Sequence, residues 1–186
     1  MRGILLVTVI LVSLQSMAMP RAYDRHDWKH WLDSDKNCRN TRTEVLIRDA
    51  QVVGYATTKK CKIKKGTWFD PYTLKTISSP TKVHIDHIVP LKHAHLAGAE
   101  SRSAEKKAAF ANDEENLIAV DGTANIQKGA KSPDEWKPHI SYWCTYAQKW
   151  VAVKMKYKLR STAKEKETLR VMLETCKFRE FLTVSI

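Results

Sequence analysis

The stretch from His84 to Pro138 constrains the fold most, because two strand patterns and a helix pattern follow one another there. Around its start, TKVHIDHIV is rich in β-branched residues and predicts a strand. A second apolar run, NLIAV, predicts another strand. The segment TANIQKG then predicts a short helix that ends at Gly129. This mixture of strands and helices predicts the α+β class.

Four polar side chains stand in a fixed order along this stretch: Asp86, His87, Asn116 and Asn125. A histidine can take a proton from water, and carboxylate and amide oxygens are the hard ligands that Mg²⁺ prefers. We therefore expect His87 to be a general base and Asp86 and Asn125 to hold Mg²⁺, for which Mn²⁺ can substitute. Asn116 is expected to hold the histidine in place. These are the parts of a one-metal phosphodiesterase.

The residues before this stretch predict helices and two strands. In DRHDWKHWLDSDKNC, a short helix can bury Trp28 and Trp31 on one face, because they are three residues apart. Thr41 and Glu44 have the spacing of a capping box and predict the start of a second helix. VVGYAT and CKIKKGTW predict two short strands, joined at residues 57–60.

Further helices are predicted around the second strand. LKHAHLAGAE predicts a helix that Gly98 ends, and Ser101 or Ser103 is placed to cap the helix in AEKKAAFAND. Farther along, SPDE, residues 132–135, has the pattern of another helix start, with proline in the first turn. Residues 140–177 predict a helical hairpin, whose second helix begins at a Thr162/Glu165 capping box.

The N-terminus has the pattern of a secretory signal peptide. Arg2 is followed by the apolar run Gly3–Leu14 and by small residues. Residues 1–22 are therefore predicted to contain a signal peptide, which is cleaved after Ala18 or Ala22. An uncleaved anchor is the alternative. Residues 23–186 then form one domain, and we expect a secreted or periplasmic monomer without a membrane segment.

Four cysteines in an exported chain favour disulfide bonds. Cys144 and Cys176 fall on the apolar faces of the last two predicted helices, so we pair them and leave Cys38 with Cys61. Free buried thiols are the alternative. The chain has no CxxC spacing, which argues against a structural zinc site built from cysteine pairs.

Basic residues outnumber acidic residues by 32 to 20, which gives a net charge of +12. A basic exported protein attracts polyanions, of which nucleic acid is the first candidate. Arg42, Lys128 and Lys131 are candidate phosphate contacts, although each can equally be a solvated side chain. The lysine run at 59–65 either presents cations to a phosphate backbone or protects a strand edge from aggregation.

The chain resembles the HNH, or His-Me finger, endonucleases. It is most similar to exported bacterial nucleases related to the HNH domain of modification-dependent restriction enzymes. The resemblance runs from about Trp31 to Cys176 and rests on CRNTRTEVL, GTWFDPYT, HIDHIVPL with AHLAGAE, AFANDEENLIAV and TANIQKGAKSPDEWKP.

This resemblance implies a ββα-metal core at residues 82–138, with the helical hairpin beside it. It implies that His87 is the base and that Asp86 and Asn125 hold the metal. The expected substrate is DNA, with RNA as an alternative, cut to 5′-phosphate and 3′-hydroxyl ends.

Two other functions fit parts of the sequence. The first is a basic nucleic-acid-binding protein whose site is inactive. The second is a zinc-dependent hydrolase of another class, with ligands drawn from His84, His87, His93 and His95. His26 and His30 are four residues apart and could also bind a metal. For His26, His30, His93 and His95, we favour positions on helix surfaces.

Overall fold

The computed structural model describes residues 21–183, with side chains described as far as Cys176. The predicted signal peptide lies almost entirely outside these residues. Within the described part, six α-helices, five strands and a few single turns of 3₁₀ or π helix make up the fold. The predicted α+β class is confirmed.

The helices and strands follow one another in mixed order. The helices are α1 (Thr41–Arg48), α2 (Leu91–Ala94), α3 (Ala104–Ala111), α4 (Gly122–Lys128), α5 (Trp143–Lys156) and α6 (Ala163–Thr183). The strands are β1 (Ala50–Tyr55), β2 (Ile63–Asp70), β3 (Lys75–Ile77), β4 (Val83–His87) and β5 (Leu117–Asp121). All the strands predicted from the sequence are present, and β3 is an additional one.

Two small antiparallel sheets organise the fold. The first has the strand order β1-β2-β3. The second pairs β4 with β5, in a register that runs from Val83 opposite Asp121 to His87 opposite Leu117. Helix α4 follows β5 directly and contacts both strands of this pair. Asp121 begins the helix, because its side chain accepts a hydrogen bond from Ala124 N at 3.0 Å.

The second sheet lies between two apolar cores. On one side, α1 and the first sheet supply side chains such as Val45 and Trp68, which pack against Val83, Ile85 and Leu117; we call this the sheet core. On the other side, helices α2 to α6 form a larger helix core. The β4–β5 pair is therefore enclosed, and its side chains meet a different environment on each face.

The N-terminal helix is shorter than predicted. It is one 3₁₀ turn, Arg25–Asp27, which ends before both tryptophans. Trp28 packs edge-to-face on Phe110 in the helix core, with ring centroids 5.5 Å apart. Trp31 has a φ of 63° and packs against the sheet core instead. The prediction that one helical face buries both tryptophans is wrong, because the backbone turns between them.

The cap of α1 also differs from the prediction. Asn40, rather than Thr41, is the N-cap, and its side chain accepts from Thr43 N at 3.0 Å. Glu44 pairs with Arg39 at 2.9 Å instead of closing a capping box. Asparagine is among the best N-cap residues, so a cap one position earlier gives the same helix.

Two of the other helix boundaries agree with the sequence, and one does not. Gly98 has a φ of +114°, which ends the helical conformation that follows α2, and the side chain of Ser103 caps α3 by accepting from Lys106 N. At Ser132, the backbone N–H and the hydroxyl both donate to Glu135, each at 3.0 Å. Only a turn follows there, so the predicted helix is absent from this described segment.

Disulfide bonds fix both ends of the domain. Cys38 is bonded to Cys61 and Cys144 to Cys176, with Cα atoms 5.3 and 5.0 Å apart. Both predicted pairings are confirmed. The second bond joins α5 to α6 and so closes the predicted C-terminal hairpin. Of the helices in residues 21–183, none is long and apolar enough to cross a membrane.

Glu165 forms the polar centre of that hairpin. It completes the predicted capping box with Thr162, and it also accepts hydrogen bonds from Lys154 Nζ and Trp150 Nε1, both at 2.6 Å. His93 of α2 lies 3.1 Å from Lys154 Nζ and packs edge-to-face on Trp150. This cluster ties α2, which begins four residues after His87, to the hairpin.

The acid sensitivity of the fold should depend on His93. Burial and the neighbouring Lys154 lower its pKa, whereas the unfolded chain binds a proton below about pH 6.5. The unfolded state therefore holds more protons, and stability must fall as the pH falls below that value. We expect wild type to lose up to ~1.4 kcal/mol per pH unit more than His93→Asn between pH 7 and 5.

Denaturant unfolding at several pH values measures this difference. The exposed His139 provides the control, since His139→Asn keeps a capping side chain and should follow wild type. Parallel pH profiles for wild type and His93→Asn would refute the prediction.

Candidate active site

His87 is the last residue of β4, and its ring is held from one side only. Its Nε2 lies 2.9 Å from the backbone oxygen of Ala111. A carbonyl only accepts hydrogen bonds, so Nε2 carries the proton and Nδ1 carries the lone pair. Within residues 21–176, no group bonds to Nδ1. Trp31 stacks beside the ring at 6.0 Å, so the imidazole has one fixed orientation with an unoccupied acceptor nitrogen.

The surroundings of His87 keep the ring neutral. Burial lowers its pKa to about 3, and the positive charges of Arg25 and Lys128 act in the same direction. The hydrogen bond to Ala111 opposes this effect. A neutral imidazole can accept a proton at any pH well above 3, so protonation does not remove the base near neutrality.

Asp86 faces the opposite side of β4, as neighbours on a strand must. Its buried carboxylate accepts from the hydroxyl of Tyr72 at 2.7 Å, and Lys128 Nζ lies 3.0 Å away. Burial raises the pKa of this carboxyl, while Lys128 and Tyr72 act against that rise. The hydrogen bonds and the ammonium group satisfy the carboxylate inside the protein.

Lys128 is fully buried, with 0% of its residue surface exposed. Besides Asp86, its ammonium donates to the backbone oxygen of His87 at 2.9 Å. The predicted phosphate contact by Lys128 is therefore wrong in this structure, because the side chain points inward. It is a counter-ion that joins α4 to the end of β4.

Asn116 holds the chain beyond the histidine rather than the imidazole. Its Oδ1 accepts from Val89 N at 2.8 Å and its Nδ2 donates to Val89 O at 3.2 Å. Its backbone oxygen accepts from Ile88 N at 2.8 Å. These bonds hold the two residues that follow His87, whereas the imidazole itself is held by the carbonyl of Ala111. The expected role of Asn116, to hold the histidine in place, stays a prediction. Asn116 is a positioning residue for the segment that leaves β4.

Asn125 lies on α4, half-buried, and its side chain has no hydrogen-bond partner within residues 21–176. It lines a cavity of about 340 Å³ together with Asp86 and His87. Two exposed cations, Arg25 and Lys92, line the same cavity. The structure thus brings three of the predicted site residues together under a positively charged mouth.

The donor set at this cavity fits a divalent metal ion with oxygen ligands. A carboxylate has about four acceptor positions, of which Tyr72 and Lys128 use two, and the amide oxygen of Asn125 is uncommitted. Mg²⁺ usually takes few protein ligands and completes its shell with water and phosphate oxygens. Asp86 and Asn125 would hold such an ion, with Lys128 as the competing cation beside Asp86.

Comparison of the sequence with known proteins identifies a family for this chain. The sequence profile described as GmrSD restriction endonucleases, C-terminal domain, matches residues 40–172. The chain belongs to this family. The match covers β4, β5 and α4 and therefore every residue of the cavity except Tyr23 and Arg25. The HNH-type resemblance noted in the sequence is confirmed at this level.

This chain is also similar to a protein of Arthroderma benhamiae that is named "Uncharacterized secreted protein". The two are 42% identical over 160 residues, which cover 83% of this chain and 76% of the relative. No solved structure matches the chain significantly. The secreted relative and the two disulfides agree with the prediction that this protein is exported from the cell.

Arg42 and Lys131 stand apart from the cavity lining. Arg42 is half-buried and donates to Val83 O at 3.0 Å, at the opposite end of β4 from His87. The two ends are four residue steps apart along the strand, a distance of about 13 Å. Lys131 is exposed and donates to Gln127 O at 2.8 Å. Their predicted phosphate contacts stay predictions, and Arg42 also braces the start of β4.

The remaining histidines do not assemble a zinc site. His95 is buried, 2% exposed, and bonds to Arg21 O at 2.7 Å, and His93 packs on Trp150. The surface position expected for both is wrong. His26 is exposed and pairs with Asp24, as expected for a surface residue. The described residues contain no group of three or more His, Cys, Asp or Glu side chains that could hold a metal ion.

The sequence analysis assigned Lys128 a different role and did not find Tyr72 and Ala111. Lys128 lies three residues after Asn125, a helical spacing that puts both on one face, so the sequence did carry a signal for it. Tyr72 falls in the GTWFDPYT segment, where nothing marks its hydroxyl as a partner of Asp86. Ala111 contributes a backbone carbonyl, which no side-chain pattern can reveal.

The stability of the domain should depend on the buried ion pair between Asp86 and Lys128. Lys128→Met leaves the Asp86 carboxylate buried without its counter-ion, which typically costs about 3 kcal/mol. For a domain of this size, that lowers the Tm by roughly 6–12 °C. Calorimetry checks it, with Lys131→Met as a control that removes the same charge from the surface. A Lys128→Met Tm equal to that of the control would contradict the role of Lys128 as the counter-ion of a buried carboxylate.

Proposed function

We propose that this protein is an exported, metal-dependent endonuclease that hydrolyses phosphodiester bonds in DNA. The observation that carries the proposal is the state of His87: its Nε2 is bound to Ala111 and its Nδ1 is uncommitted at a cavity shared with Asp86 and Asn125. An oriented, neutral imidazole beside hard oxygen donors is the arrangement that a water-activating phosphodiesterase needs.

The hydrolytic step follows from these atoms. Water attacks phosphorus while Nδ1 of His87 takes the proton that the water loses. The bond from phosphorus to the 3′-oxygen breaks, and that oxygen takes a proton from solvent, which leaves 5′-phosphate and 3′-hydroxyl ends. The Ala111 carbonyl stabilises the imidazolium that forms, because Nε2–H keeps donating to it.

The chain also supplies charge for the phosphate. Arg25 and Lys92 are exposed at the cavity and can contact the phosphate oxygens on either side of the cut. A divalent ion held by Asp86 and Asn125 would act as Lewis acid on the phosphate and template for the leaving oxygen. Asn116 positions the base indirectly, because it holds Val89, two residues after His87, by a hydrogen bond.

The order β4, β5, α4 supports the His-Me finger assignment. The base stands at the end of the first strand, and Asn125 projects from the helix that packs on both strands. We infer that residues 82–138 are the ββα-metal core of this nuclease. The C-terminal hairpin braces that core through His93, Lys154 and Glu165.

The two alternative functions have less support. A site that only binds nucleic acid would not need a cavity-lining imidazole with one nitrogen fixed and the other without a hydrogen-bond partner in the described part of the chain. A zinc hydrolase would need clustered histidines, and His93 and His95 are each committed to other partners.

The purified protein should cut plasmid DNA in the presence of Mg²⁺ or Mn²⁺ and stop in EDTA. The proposed ligands are the neutral amide of Asn125 and the carboxylate of Asp86, which is already paired with Lys128, so they should not retain the ion against a chelator. Gel analysis of plasmid DNA measures this. Cleavage that survives exhaustive chelation would remove the metal from the proposal. Parallel digests of RNA and of single-stranded DNA identify which nucleic acid is the preferred substrate.

Substitutions should separate the base from the metal ligand. His87→Gln preserves much of the side-chain volume and a donor toward Ala111, and we expect it to lower the rate by roughly 10²–10⁴-fold while DNA binding is kept. Asn125→Ala should weaken the metal, so its defect should shrink as Mn²⁺ is raised.

Turnover measured over a Mn²⁺ series compares the two variants. If metal restored His87→Gln but not Asn125→Ala, the two roles would be reversed. Melting curves for both variants exclude unfolding as the cause, which matters because His87 is buried.

A further inference from the structure

A lysine-rich hairpin presents a run of exposed positive charge with no acidic residue among it. Residues 50–69, which span β1, the connecting turn and most of β2, contain five lysines and no acidic residue. These lysines are all exposed: Lys59, Lys60, Lys62, Lys64 and Lys65. We call residues 50–69 the lysine hairpin.

None of these five ammonium groups has an ion-pair partner among the described residues. Many other cations of the domain are paired, as in Lys156 with Asp113 at 2.9 Å and Arg39 with Glu44 at 2.9 Å. Five like charges within seven residues repel one another. The surface is therefore suited to an external polyanion rather than to the protein itself.

The hairpin is held at a limited distance from the candidate active site. The Cys38–Cys61 disulfide ties its turn to the loop that follows Trp31, the residue stacked beside His87. Seven residues separate Trp31 from Cys38, which span at most ~25 Å. Ile63, between the lysines, packs against the same sheet core as Trp31.

We propose that the lysine hairpin is a second contact to the phosphate backbone of the substrate, away from the bond that is cut. This inference rests on the proposed nuclease function and names its substrate class as a polymer rather than a nucleotide. The turn of the hairpin lies within at most about 30 Å of the site, which corresponds to roughly nine base pairs of duplex. A duplex of 30 base pairs is therefore long enough to reach both contacts.

Protection of a strand edge is the competing role for these lysines. Strand β3 pairs with β2 only at residues 68–70, so one edge of the lysine-bearing half of β2 has no partner strand in the described structure. Edge lysines discourage aggregation without binding any ligand. If the lysines contact phosphates, removing their charge lowers the affinity for nucleic acid. If they protect the strand edge, removing their charge causes aggregation instead.

Salt-dependent binding tests the inference. The triple variant Lys62→Gln/Lys64→Gln/Lys65→Gln is compared with wild type in EDTA, on a fluorescent 30-base-pair DNA duplex, between 50 and 200 mM NaCl. Each phosphate contact contributes about 0.9 to the slope of log K against log salt, so the slope should fall by about 2–3. A 30-base-pair RNA duplex repeats the measurement for the alternative substrate.

The control removes the same charge from the C-terminal hairpin, in Lys158→Gln/Lys164→Gln/Lys166→Gln, where all three side chains are exposed. Its slope should equal that of wild type. Unchanged slope and affinity in the lysine-hairpin variant would overturn the inference, as would aggregation in size-exclusion chromatography without loss of affinity. Failure of the nuclease proposal is distinguishable, because it appears as absence of cleavage with Mg²⁺ or Mn²⁺ whatever the binding slopes are.

Discussion

The antiparallel pairing of β4 with β5 is the constraint on which the site depends. Its register places His87 opposite Leu117 and ends β4 at the residue that carries the base. Because side chains alternate along a strand, a slip of one residue would exchange the faces of Asp86 and His87. Such a slip would bring the carboxylate toward Ala111, whose carbonyl can only accept hydrogen bonds, and would remove it from Lys128. The apolar residues of β4 fix the register, since Val83 and Ile85 must both reach the sheet core.

Burial of charge is the second physical theme, and it explains how α4 is oriented. Asp86 and Lys128 are each buried, and neither charge could be tolerated alone in that position. Together with Tyr72, they bind the start of the turn after β2, the end of β4 and the end of α4 into one unit. The helix rotation that brings Lys128 to Asp86 also aims Asn125, one turn earlier, at the cavity. Structural and functional groups are thus positioned by the same contact.

The sequence predicts those features that rest on local patterns. The strands around the motif, the Cys144–Cys176 bond, the Ser103 cap and the Thr162/Glu165 capping box are confirmed, because each depends on residues close in the chain or on an apolar face. The Cys38–Cys61 bond is confirmed as the pair that remains. Several of the misses share a cause. Lys128, His95 and the two N-terminal tryptophans are placed by packing between distant segments, and the helical spacing of Lys128 from Asn125 does not show that the lysine is buried. The cap expected at Thr41 and the helix expected at Ser132 fail for a local reason, because neighbouring groups satisfy the same hydrogen bonds in another way. The role of Ala111 could not be predicted, since every residue has a carbonyl.

The environment of His87 poses a problem that substrate binding must resolve. An imidazole with a pKa of about 3 is neutral near pH 7 in the folded protein, yet it is also a weak base toward water. The main cause of the low pKa is burial, with Arg25 and Lys128 adding their charges. A phosphodiester in the cavity brings a negative charge to the same place and compensates those cations, which raises the pKa of the imidazole. The base would therefore be strongest when the substrate is bound, and the free enzyme keeps Nδ1 unprotonated and ready to accept the proton.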